Sequence, residues 1–296
     1  MAITAEAVKT LRERTGAGMM ECKKALTETN GDLDAAAEMM RKTGLAKADK
    51  KAGRIAAEGV VVIERSADGK SAAIVEVNCE TDFVAREKDF MNFAANAGKV
   101  ALAQRTATVE AVLAGKLADG STIDDVRRAL IAKIGENVSV RRVALLDSPV
   151  AVGTYLHGTR IGVLVALKAG DEAVAREVAM HIAAINPPHL SVTDVPAEVV
   201  AKEKEIQLEQ IKLDPKNANK PEDMLAKIID GKLRKWVGEI TLLGQPFVKD
   251  DKQTVEQYLK QSKAEVHSFL RFEVGAGIEK KTEDFAAEVR KQAFGS

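Results

Sequence analysis

Aromatic side chains are scarce: they make up 4% of the 296 residues, with one Trp, two Tyr and eight Phe. Any core must therefore be built mainly from Ala, Val, Leu and Ile. An excess of either charge is also absent, since 44 Lys and Arg balance 44 Asp and Glu. A dedicated nucleic-acid binder ordinarily carries a basic surplus to neutralise phosphates. The balance thus weighs against RNA or DNA as main partner, although a local basic patch stays open. Two cysteines, Cys22 and Cys79, are too few for a disulfide framework in so long a chain. No apolar run approaches the ~18 residues of a membrane span. The opening Met-Ala-Ile-Thr-Ala-Glu lacks the charged and apolar regions of a signal peptide. These absences lead to an expected cytoplasmic location. What remains is a globular composition, 46% hydrophobic and 30% charged, in a chain long enough for two or more cores.

Motifs that carry covalent chemistry are missing as well. Gly16-Ala17-Gly18 runs into Met19, without the spacing to Lys-Ser/Thr of a phosphate-binding loop, and no dinucleotide fingerprint follows a strand. His181 and His189 are separated by Pro187-Pro188, which is not metal-ligand spacing on one helix; His157 and His267 lie far off in the chain. Neither cysteine has a partner two or three residues away, and no Ser/His/Asp set can be singled out. The expectation is no cofactor, no metal and no enzyme activity.

What is present is a change of period along the chain. Residues 1–54 read as a three-helix module: Thr4 caps a helix with Ala7, Val8 and Leu11, Gly16 and Gly18 break it, and helices follow from Met19 and Asp32. The Lys- and Ala-rich stretch from Ala46 to Arg54 reads as a solvated helix or linker. Strand patterns then flank Ala67-Asp68-Gly69-Lys70, followed by a helix over about 84–104, another over about 123–134 and a strand over 138–146. A second such unit starts near residue 150, with strands either side of His157-Gly158-Thr159-Arg160 and a helix over about 172–185. Val-Ala-Arg-Glu occurs at both 84–87 and 174–177, which reads as an internal repeat with a one-residue slip. A polar helix from Pro196, a turn over 214–221 and a helix over 224–236 make an inserted hairpin. Strands are expected over 239–243 and 269–274, and a terminal helix carries Phe285. The predicted fold class is α+β: a helical amino-terminal (UBA-like) module at 1–54, sheet-plus-helix subdomains at 55–147 and at 148–190 with 237–276, an antiparallel helical hairpin at 191–236, and a C-terminal helical module at 277–296.

One segment is chemically unusual. A strand runs into Asn78-Cys79-Glu80-Thr81-Asp82-Phe83-Val84, and a helix follows. As a plain helix start, Thr81 or Asp82 is the cap and Phe83 packs beneath with Val84. As an exposed corner, Asp82 and Phe83 offer a carboxylate and a ring to a partner's polar and apolar pockets.

Asn78-Cys79-Glu80-Thr81-Asp82-Phe83-Val84-Ala85 resembles the signature of the bacterial elongation factor Ts family. Further stretches resemble it in family order: Leu11 to Met20 with Cys22 to Leu26, Lys133-Ile134-Gly135-Glu136-Asn137, His157 to Leu164, Gly244 to Val248 and Arg271 to Glu279. The resemblance implies a guanine nucleotide exchange factor for elongation factor Tu. It would bind the GDP-bound and nucleotide-free partner and promote GDP release so that GTP can enter. In that family Thr81, Asp82, Phe83 and Val84 would disturb the partner's magnesium and phosphate site, with Phe83 as a wedge. Leu11, Met19 and Met20, together with Phe285, would meet the partner's nucleotide domain; His157 and His181 would meet another domain. No nucleic-acid or membrane partner is implied, and a homodimer within a larger complex is compatible with it.

Two rival readings stand beside it. An RNA-binding accessory factor of translation would use Lys23, Lys24, Lys47, Lys50, Lys51 and Arg54. A hydrolase would use Asp82 and a distant histidine.

Overall fold

The computed structural model describes residues 3–213 and 221–279, with the side chains of 45–49 left aside. The terminal helix expected to carry Phe285 lies outside the described residues. The chain forms two compact units: one within Met1–Val62, Val75–Val143 and Glu273–Ser296, the other within Ile63–Ile74 and Ala144–Phe272.

In the first unit, α1 (Ala5–Thr15), α2 (Met19–Glu28) and α3 (Leu33–Lys51) close a small core of Val8, Leu11, Cys22, Ala25, Leu26 and Ala36. The Thr4 hydroxyl accepts the Ala7 amide at 3.2 Å, and Gly16 ends α1 in the left-handed region at φ 68°. The Lys- and Ala-rich stretch is not a linker at its start, because α3 continues to Lys51. It packs on α7 (Ile123–Ile134), where a Cβ at Gly44 would lie 3.1 Å from that of Ala132.

Strands β1 (Glu58–Arg65), β2 (Ser71–Cys79) and β3 (Ser139–Asp147) form a sheet in that order. The helix expected over 84–104 is two helices, α4 (Asp82–Ala85) and α5 (Lys88–Ala103), with Glu87 extended between them. The reason is phase. At about 100° per residue, one continuous helix would turn Phe90, Phe93 and Ala97 roughly half a turn away from Val84 and Ala85. All five are buried, so the break at Arg86–Glu87 brings them to the core. A short α6 (Val109–Ala114) packs beside α5 and α7.

A buried ion cluster lies on β2. Glu76 is fully buried, accepts the Gly275 amide at 2.8 Å and pairs with Arg141 and Arg142. Burial opposes its ionisation, but the Gly275 amide and the two guanidinium groups outweigh that and hold its pKa below the usual carboxylate value.

In the second unit, β4 (Val152–His157) and β5 (Ile161–Ala169) pair antiparallel, with Val152 opposite Ala166 and His157 opposite Ile161. β8 (Glu265–Glu273) joins the free side of β5. α8 (Glu172–Ile185) lies on this sheet, so close to β4 that a Cβ at Gly153 would come within 2.4 Å of Ala175. α9 (Ala197–Leu213) and α10 (Glu222–Ile240) pair through Ile211, Ile229 and Leu233. The strand expected over 239–243 is instead the last turn of α10 followed by a 3₁₀ turn, Leu242–Gly244. Val237 on α10 and Leu242 in the 3₁₀ turn are both buried, and the Thr241 hydroxyl donates back to the Val237 carbonyl at 2.9 Å. The unit is completed by a small hairpin, β6 (Pro246–Phe247) and β7 (Asp250–Thr254), and by α11 (Val255–Gln261), elements the apolar pattern did not announce.

Candidate functional site

The corner between β2 and α4 is shaped by three residues in succession. Thr81 is extended, and its hydroxyl accepts the Val84 amide at 3.3 Å. Val84 and Ala85 turn inward and are buried, which points Phe83 the other way. Phe83 does not pack beneath the helix: its exposure is 78%, the highest among the described phenylalanines. Asp82, beside it, pairs with Arg86 one turn on at 2.9 Å, and both side chains are in contact with solvent.

The corner is gripped from the turn that links α7 to β3. The Glu136 carboxylate accepts the Glu80 amide at 3.2 Å, the Thr81 amide at 3.0 Å and the Thr81 hydroxyl at 2.7 Å. In return, the Glu80 carboxylate accepts the Asn137 amide at 2.6 Å and pairs with Arg54 at 2.7 Å. The Asn137 side chain donates to the carbonyls of Ala52 and Arg54. The Cys79 thiol donates to the Thr81 carbonyl at 3.2 Å. Burial, with Glu136 and Glu58 nearby, pushes that thiol's pKa up to about 12, so it stays protonated and unreactive.

The second copy of the repeat supplies a comparison within the same chain. β2 and β5 are both nine residues long, and an N-cap follows each after one residue: Thr81 in the first, Asp171 in the second. Asp171 accepts the Val174 amide at 3.0 Å, and Val174 and Ala175 are buried like Val84 and Ala85. The hairpin turns before these strands differ in length, 66–70 in the first copy against 158–160 in the second. Ala173 stands where the first copy has Phe83, and Glu172, standing for Asp82, is held by Arg65. An aromatic ring is therefore no requirement of this backbone corner.

The remaining expected contacts divide by exposure. Met19 and Met20 project from the start of α2 at 60% and 74% exposure, and His157 is exposed at the end of β4 beside Leu156. Leu11 and His181 differ from that expectation, because both are fully buried and offer no surface to a partner. Leu11 belongs to the three-helix core. His181 accepts the Val248 amide at Nδ1, 3.1 Å away, which leaves Nε2–H to donate to the Gln245 side chain at 2.9 Å. Burial keeps this imidazole neutral by lowering its pKa, despite the Gln245 bond. Phe285 lies outside the described residues. Glu136 carries little local signal in the sequence beyond its place just after the left-handed Gly135 that ends α7.

The corner presents an exposed ring with a solvent-facing carboxylate beside it. Among the described residues no group of three or more His, Cys, Asp or Glu could hold a metal ion.

Residues 80–276 match the family model described as Elongation factor TS. A protein named Elongation factor Ts from Methylococcus capsulatus is 57% identical over 297 residues, covering 100% of both chains. The protein of that name from Xanthomonas campestris pv. campestris is 57% identical over 293 residues, covering 99% of each chain. That from Hydrogenovibrio crunogenus is 54% identical over 293 residues, with 99% of this chain and 98% of the relative covered.

Proposed function

The chain belongs to the elongation factor Ts family of translation elongation factors, and from that premise we propose that it binds GDP-bound elongation factor Tu and drives GDP out. The observation that carries this reading is Phe83, 78% exposed on a corner whose backbone is fixed by Thr81, Val84 and Glu136. An exposed ring on a rigid mount loses water contact only when a partner covers it. Burying it contributes about 1.5–3 kcal/mol. GDP is held on such a GTPase largely by a phosphate cradle and a bridging Mg²⁺. A wedge that shifts the metal's ligands leaves phosphate charge uncompensated and weakens the nucleotide's hold.

Exchange requires tighter binding to the nucleotide-free partner than to its GDP form, because only differential affinity shifts an equilibrium. Each ~1.4 kcal/mol of that difference is worth tenfold. One ring is too little for a large acceleration, so a broad interface is part of the proposal. Met19 and Met20 meet the nucleotide domain, His157 meets another domain, and Leu11 and His181 support these faces from within. The expected five-part division assigns these contacts to the amino-terminal module, the first sheet subdomain and the second. The protein makes no covalent change of its own and works in the cytoplasm; among the described residues no helix is long and apolar enough to cross a membrane.

In the basic set of the RNA reading, Arg54 pairs with Glu80 and Lys51 donates to the Gly135 carbonyl, while the Lys47 side chain lies outside the described residues. The hydrolase reading meets an Asp82 already paired with Arg86.

The test is stopped-flow release of a fluorescent GDP analogue from elongation factor Tu, with wild type and Phe83→Ala. Acceleration by wild type with a large loss in the variant is expected. Acceleration unchanged by the substitution would remove the wedge, and no acceleration by wild type would remove the exchange reading.

A further inference from the structure

Resting on that exchange reading, we propose that Glu136 is a positioning residue for exchange: its carboxylate fixes the Thr81 backbone and thereby aims Phe83. One carboxylate takes three donors from two successive residues, the Glu80 amide and both the amide and hydroxyl of Thr81. Charge-assisted bonds of this kind are the stronger class. They act immediately before α4, the four-residue helix that bears Phe83. A helix this short has few bonds of its own, so its orientation is inherited from the residue that caps it.

Glu136 can impose that orientation because its own mount is stiff. It follows Gly135, whose left-handed backbone closes α7, and the Gly135 carbonyl accepts Lys51 from the end of α3. The next residue, Asn137, donates its amide back to Glu80, so the two turns hold each other reciprocally. Three residues earlier, Lys133 pairs with Asp89 in the first turn of α5, directly beyond the break that follows α4. The stem of Lys133 also lies against Gly16, in the turn leading to Met19; a Cβ on Gly16 would be 3.4 Å from Lys133 Cδ. The end of α7 thus fixes α4 from both sides and touches the turn that presents Met19.

None of these bonds covers Phe83. If Glu136 serves only to close the fold, its loss weakens the protein whether or not Phe83 is present. If it aims the ring, its loss matters only while the ring is there. Groups that act as one unit are non-additive in just this way.

The experiment is a double-mutant cycle on GDP release from elongation factor Tu at saturating factor. It uses the full chain as wild type, Glu136→Ala, Phe83→Ala and the pair. Glu136→Ala is expected to slow release by about tenfold, since small misplacements of a positioned group cost that much or more. In the Phe83→Ala background the same change is expected to alter release by less than about twofold. Glu136→Gln, which keeps one accepting oxygen, should fall between Glu136→Ala and wild type, and it carries the same cycle if the alanine variant fails to fold. Equal slowing in both backgrounds, or a Glu136→Ala protein as fast as wild type, would overturn the proposal.

A partner-free readout separates the clasp from the exchange reading. Amide hydrogen exchange at Glu80 and Thr81 should rise by at least about tenfold in Glu136→Ala while Ile74 to Val77 stay protected. Unchanged exchange at those two amides would overturn the clasp itself. If wild type leaves GDP release unaltered, the exchange reading fails and the positioning role with it, even where the amides respond.

Discussion

Phe83 and Ala173 stand at the same step of two repeated strand-to-helix corners, each exposed and each followed by a buried Val-Ala pair. The backbone device is shared, and the ring is an addition to one copy. Phe83→Ala should therefore leave thermal stability within about 0.5 kcal/mol of wild type, as for a surface change away from any cap or core. GDP release from elongation factor Tu should nevertheless slow strongly. Ala173→Phe, which puts a ring on the second corner, should not restore release to the Phe83→Ala protein. Calorimetry alongside stopped-flow release checks both statements.

His181 gives stability a neutral-to-acid dependence. Burial lowers its folded pKa, so the unfolded chain takes up the proton first as pH falls. Its contribution is fully present above the ordinary value of about 6.5 and is lost as pH falls from there toward the folded value. Urea midpoints should thus decline from pH 7 to pH 5, and the decline should be smaller in His181→Gln. An identical pH dependence in the two proteins would count against this assignment.

Glu76 should be a costly position. Removing the carboxylate leaves Arg141 and Arg142 without their buried partner and the Gly275 amide without its acceptor. Glu76→Ala should destabilise by about 3 kcal/mol, the lower range for breaking a buried pair, because both arginines partly reach water. The pKa of Glu76 is held below the usual carboxylate value, so its contribution is present above that value and fades as pH falls through the folded one. Denaturant titration of wild type and Glu76→Gln at neutral and acid pH should show a flatter acid limb in the variant.

Gly153 is fixed by contact rather than by backbone angle. A Cβ there would lie 2.4 Å from the Ala175 Cβ and backbone carbon, and neither can swing aside. Gly153→Ala should lift α8 from β4 and cost about 2–3 kcal/mol, the upper range for overpacking. Gly53→Ala, with nothing within 4 Å, should change stability by less than about 0.5 kcal/mol. Thermal unfolding of the two variants side by side is the check.

The local devices were readable before the structure. Thr4, Gly16 and the Asn30-Gly31 break define the first helices. The Gly69 turn lies between β1 and β2, and the Val-Ala-Arg-Glu repeat marks two homologous corners. The places where fold and local pattern differ share a cause. The apolar run at 239–243 suits a strand by composition, yet spatial neighbours take it up as a helix end and a 3₁₀ turn. The break at Arg86–Glu87 has no Gly or Pro to announce it; it exists because two apolar sets must reach the core from different phases. His181 has a spacing compatible with either face of α8, and only the packing of Gln245 and Val248 around it decides that it is buried.

The sequence by itself determined the α+β class and the family, and it pointed to the repeat and to the segment Thr81 to Val84, because caps, turns and motifs act over a few residues. Which of those four side chains faces out was decided by tertiary structure, since Val84 and Ala85 sink into a core assembled from distant helices and leave Phe83 behind. Tertiary structure alone also brought Glu136 to Thr81, 55 residues apart along the chain and 2.7 Å apart in space. Local propensity carries no information about a hydrogen bond whose partners meet only when α7 and β2 are packed.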